Sequence, residues 1–143
     1  MALSMNFDFG TIDAPTLKKL IHKRDGMLKY RICGHFEIHT SGGVFFDDEY
    51  FNIFEFVENF GRFDCSTYEY SFTTVDYDEP ILELKKNGET FILSSVWADS
   101  DVEVAGNEIM HAYESLCGEA DRYLTENFGR SLGCVMKLCG QKN

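Results

Sequence analysis

Proline is nearly absent: Pro15 and Pro80 are the only two in 143 residues. With no Gly/Ser-rich or low-complexity stretch either, nothing marks an internal linker. Residues 1–143 therefore read as one domain, with segments 1–12 and 130–143 expected to be loosely held. No run approaches the ~18 apolar residues of a membrane span. The opening residues, MALSMNFDFGTIDAP, lack the basic and apolar regions of a secretory leader. Cysteine forms no framework: Cys33, Cys65, Cys117, Cys134 and Cys139 are odd in number and irregular in spacing. Free thiols in a reducing cytoplasm are the expectation.

Basic residues are scarce, 13 against 24 acids, for a net charge of −11. The shortage is local. Residues 1–41 hold six Lys/Arg against four acids, residues 42–83 hold Arg62 against eleven acids, and residues 84–143 hold six against nine. The net −10 of the middle third repels nucleic acid and anionic membranes and favours a basic protein partner.

Catalytic motifs are lacking as well. There is no Gly-x-Gly-x-x-Gly, no Walker loop and no Gly-x-Ser-x-Gly elbow. No cysteine sits in a motif that would activate it. The chain is read as a non-enzyme that needs no cofactor. Two polar constellations remain as metal candidates. Cys33, His35, Glu37 and His39 share one face of a predicted strand, but alternate residues on a strand lie ~6.6 Å apart. One ion could not reach all four, and further ligands, such as His22 or Cys65, would be needed. Glu108-x-x-His111 lies on a predicted helix without the second copy that a carboxylate-bridged di-metal site requires.

Hydrophobic residues are plentiful, at 44%, and aromatics reach 15% with 13 Phe and 7 Tyr, enough for a packed aromatic core. Asp13-Ala14-Pro15 opens a helix carrying Leu17, Leu20 and Ile21, which stops at Asp25-Gly26. Residues 28–39 alternate as a strand, and Val44-Phe45-Phe46 pairs with it beyond Gly42-Gly43. Asp47-Asp48-Glu49 then suits the start of a helix carrying Tyr50, Ile53, Phe54, Val57 and Phe60. Residues 67–73 form a strand with Tyr68, Tyr70 and Phe72 on one face. An acidic loop follows, and Asn87-Gly88 turns a hairpin that pairs Leu84 with Phe91 and Lys86 with Glu89. Asn107 caps a long helix that breaks near Gly129. The predicted fold is α+β: a mostly antiparallel sheet of about five strands, an N-terminal helix, a short central helix and a long C-terminal helix.

The function must then rest on surface. Asp47, Asp48, Glu49, Asp64, Asp76, Asp78 and Glu79 are the candidate partner-binding residues, with Phe or Tyr as anchors. A hairpin before a Phe/Glu-rich helix (GGVFFDDEYFNIFEFVENF), an aromatic strand and acidic loop (STYEYSFTTVDYDEPILEL) and a strand ending in Ser-Ser-Val-Trp before the last helix span residues 28–128. In this composite pattern the chain resembles the small acidic immunity proteins of bacterial contact-dependent growth inhibition and other polymorphic toxin systems. The resemblance implies a cytoplasmic protein that occludes a cognate toxin domain with a basic surface, without chemistry. It transfers no individual residue. The alternatives are a structural or regulatory interaction domain, or a small-ligand or metal-binding module on the Cys33/His35/Glu37/His39 face.

Overall fold

The computed structural model describes residues 3–64, 66–74 and 77–140. It contains seven strands in two antiparallel sheets, and five helices. The first sheet has the order β1 (Ser4–Phe7), β2 (Gly34–Thr40), β3 (Gly43–Phe51). The second has the order β4 (Glu69–Phe72), β5 (Leu82–Asn87), β6 (Thr90–Ser94), β7 (Val102–Ala105). The α+β antiparallel class holds, with the strands divided between two sheets.

Helix α1 (Ala14–His22) starts as its sequence dictates. The Asp13 carboxylate accepts the Thr16 N–H, Pro15 occupies the first turn, and Leu17, Leu20 and Ile21 are buried. Residues 28–31 depart from the expected strand and form a one-turn helix, α2 (Leu28–Arg31). Leu28 and Ile32 are both buried. They are four apart, a spacing that alternation and a helical turn satisfy equally.

β3 is longer than expected and absorbs the acidic triplet. Helix α3 (Ile53–Phe60) begins at Ile53, not at Asp47. Val44–Phe46 forms the expected strand, and two register shifts run through the longer β3. Ile38 pairs Phe46 while His39 pairs Val44, leaving Phe45 as an extra residue. Gly34 pairs Phe51 while Phe36 pairs Asp48, so Glu49 and Tyr50 together oppose His35. Bulges of this kind break the period of two in sequence while keeping the ladder.

The β5–β6 hairpin turns one residue later than the Asn87-Gly88 dipeptide suggested, which moves each cross-strand partner by two. Asn87 pairs Thr90, Lys86 pairs Phe91 and Leu84 pairs Leu93. The two-residue loop is Gly88-Glu89, with Gly88 at φ 66° in the first central position, where glycine suits a II′-like turn. A shift of two preserves side-chain parity. Leu82, Leu84, Phe91 and Leu93 therefore stay buried.

α4 (Gly106–Phe128) follows β7 directly. Ala105, not Asn107, is its N-cap, and the Glu108 carboxylate accepts the Ala105 N–H at 3.1 Å. The helix ends at Gly129. Parts of the two end segments, 1–12 and 130–143, form regular elements. β1 pairs β2, and α5 (Leu132–Cys139) buries Val135, Leu138 and Cys139.

α3 joins the two sheets. Phe56 lies 5.3 Å from Phe51 of the first sheet and 5.2 Å from Phe72 of the second, centroid to centroid. Phe60 meets Tyr70 at 4.9 Å. The Tyr113 hydroxyl of α4 donates to the Val57 carbonyl at 2.7 Å. Buried residues of both sheets and of α1–α5 form one continuous hydrophobic cluster. No helix among the described residues is long and apolar enough to cross a membrane.

Candidate partner-binding surface

The acids of the middle third are put to different uses. In β3, strand alternation sends Asp47 and Glu49 to the exposed face and turns Asp48 inward, where it is 8% exposed and accepts the Tyr50 N–H at 2.9 Å. The triplet is therefore not one patch. Asp64 closes a turn. Its carboxylate accepts the Ser66 N–H at 2.8 Å and the Ser66 hydroxyl, and these bonds hold its pKa below the ordinary carboxylate value. Glu58 pairs with Lys29 at 2.8 Å. Glu55 accepts the Thr74 hydroxyl at 2.7 Å. Asp76 lies outside the described residues, as does Cys65.

Asp78 and Glu79 are different. Both are exposed, and they rim a groove also lined by Tyr77, Ile81, Val96 and Trp97. Tyr77, Val96 and Trp97 are 41%, 54% and 43% exposed, large values for such side chains. Trp97 is held in place. Its ring stacks on buried Phe46 of β3 at 5.3 Å, and the Tyr77 ring meets it edge-on at 5.1 Å. Ser95 sets the loop, its carbonyl accepting the Ala98 N–H and its hydroxyl the Trp97 N–H, both at 3.2 Å. The result is a pinned, half-exposed aromatic surface with an acidic border.

The sequence reading missed Trp97, Tyr77 and Val96 as surface anchors. The available signal was a lone tryptophan in a polar loop, Ser-Ser-Val-Trp-Ala-Asp-Ser-Asp. The two acidic groups also face different sides. Asp47 and Glu49 leave β3 opposite to Phe46, the residue that Trp97 covers.

On the other face of β2 and β3, His35 Nε2 lies 2.7 Å from Asp47 Oδ1, and His39 Nε2 lies 3.4 Å from Glu37 Oε1. The Asp47 hydrogen bond is the main cause that raises the His35 pKa above its ordinary value, with Glu37 and Glu49 adding to it. Cys33 falls before β2 and lines an open cleft with Asp13, Arg31, His35 and Tyr50. Glu108 is occupied at the α4 N-terminus, and His111 is exposed.

Of the C-terminal cysteines, Cys134 is exposed and Cys139 buried, and both are free. Burial pushes the Cys139 thiol up to about 12 and raises that of Cys117, so neither carries thiolate at neutral pH.

No curated protein and no solved structure matches the chain. A family model described as a domain of unknown function, DUF7878, matches residues 5–126, from β1 almost to the end of α4, and the chain belongs to that family.

Proposed function

We propose that this chain is an immunity-type protein. It binds a cognate bacterial toxin domain with a basic surface, a nuclease in the simplest case, and neutralises it in the cytoplasm by covering it, without chemistry. The observation that carries the reading is the groove in which Asp78 and Glu79 border Tyr77, Val96 and Trp97. A rigid aromatic anchor with a charged rim is the composition of a binding hot spot: the ring supplies desolvated contact and the rim steers the partner. The net charge of −11 supports the same reading, since it speeds encounter with a basic protein and disfavours nucleic acid. The sequence resemblance supplies the class of partner. Asp47 and Glu49 offer a second acidic contact on a different face.

The test is calorimetry of the full chain with the C-terminal domain encoded by the gene immediately upstream, at low and at physiological salt. A Kd of roughly nanomolar order that weakens as salt rises supports the proposal. Absence of binding, with a neighbour that is no toxin, removes it.

A further inference from the structure

The outer face of the first sheet answers the geometric objection to a metal site on β2. Four alternate positions along one strand are too spread out to share an ion, but the adjacent pair His35 and Glu37 can do so once β3 supplies a third ligand. Glu37 and Asp47 are direct Cα partners across β2 and β3. His35 Nε2 is 2.7 Å from Asp47 Oδ1. One ligand atom each from His35, Glu37 and Asp47 falls within 4.8 Å of the other two. The bulge that sets Glu49 and Tyr50 opposite His35 lies beside this cluster, and bulges re-aim side chains next to sites.

The electrostatics point the same way. Two carboxylates directly opposite each other on neighbouring strands repel and destabilise a sheet, a cost that a bound cation would offset. Among the described residues, the side chains that meet these carboxylates on this face are the imidazoles of His35 and His39, and no lysine or arginine is paired with them. The geometry points to a divalent-cation site formed by His35, Glu37 and Asp47. Its class is a first-row transition ion such as Mn²⁺ or Zn²⁺, for which one imidazole and two carboxylates are suitable donors. The side chains of His35 and Asp47 are 35% and 51% exposed, so water completes the shell. The site is separate from the Trp97 groove and goes beyond the immunity reading.

The test uses the full chain, freed of metal by chelation and titrated with MnCl₂ while amide spectra are recorded. Mn²⁺ avoids the ambiguity of zinc binding to free thiols. The expected result is saturable paramagnetic broadening centred on His35, Glu37 and Asp47, reversed by ZnCl₂. Asp47→Asn and Glu37→Gln, both near-isosteric surface changes, each weaken binding about tenfold or more. The Asp78→Asn/Glu79→Gln variant keeps it. Absence of broadening in the wild-type chain, broadening centred elsewhere, or equal affinity in Asp47→Asn and Glu37→Gln overturns the proposal. Either outcome leaves the partner-binding reading to its own test.

Discussion

Trp97 has a structural and a surface role, and the two can be separated by magnitude. Its stack on Phe46 is worth about 1 kcal/mol. Trp97→Ala should therefore lower the unfolding free energy read from urea denaturation by about that amount, with the fold retained. The same change should weaken partner binding by about 2 kcal/mol or more, the scale of an aromatic hot spot. Calorimetry beside urea denaturation separates the two effects. Equal losses in both would reduce Trp97 to a packing residue. Asp13 illustrates a purely structural acid. Its hydrogen bonds to the Thr16 side chain and backbone hold its pKa below the usual 3.8. A carboxyl depressed in the folded state stabilises above its unfolded pKa, and that contribution disappears as pH falls through the folded value. Asp13→Ala should lower the melting temperature at neutral pH and converge with wild type as pH falls from 3.8 through the lower folded value. A constant difference across that range would contradict the assignment.

α3 organises the elements around it, through rings on one side and a polar clasp at its start. Asn52 Nδ2 donates to Thr74 Oγ1 at 2.8 Å, and the Thr74 hydroxyl donates to Glu55 at 2.7 Å. Asn52 and Thr74 are only 4% and 5% exposed. Thr74→Val keeps the shape and removes both bonds, while Asn52 Nδ2 keeps its 3.3 Å bond to Glu55 Oε1. The expected loss is about 1–3 kcal/mol, read by chemical denaturation. Phe56→Ala, which empties the junction between the sheets, should cost about 3–5 kcal/mol. A Thr74→Val variant as stable as wild type would show the clasp to be dispensable. Elements with long, uninterrupted periods were legible in the sequence. α1 announced itself by Asp13 and Pro15, and α4 by Ile109, Ala112, Leu116, Ala120 and Leu124. β3 was legible at its start, Val44–Phe46, but its second half was not, because the bulge at Glu49-Tyr50 scrambles the alternation and leaves Phe/Ile spacings that imitate a helix. α2 was misread because a single turn is too short to distinguish the two periods.

At the scale of the molecule, the −10 carried by residues 42–83 is dispersed rather than pooled. Glu55, Glu58 and Asp64 engage neighbouring residues, Asp48 turns inward, and Asp47 and Glu49 face away from the Trp97 side. Composition revealed the charge and its sequence position. It could not reveal which acids surround an exposed ring, because that depends on Trp97 stacking on Phe46, residues far apart in the chain. Asp78 and Glu79 were legible as charges, and their aromatic setting became visible only in three dimensions. The most direct test of the central claim is a growth assay with the C-terminal domain encoded by the gene immediately upstream, the proposed toxin, expressed in the same cells. Wild-type protein should restore growth, and Asp78→Lys/Glu79→Lys combined with Trp97→Ala should fail to do so while remaining folded and equally abundant. Full protection by that triple variant, or no protection by the wild type, would contradict the account.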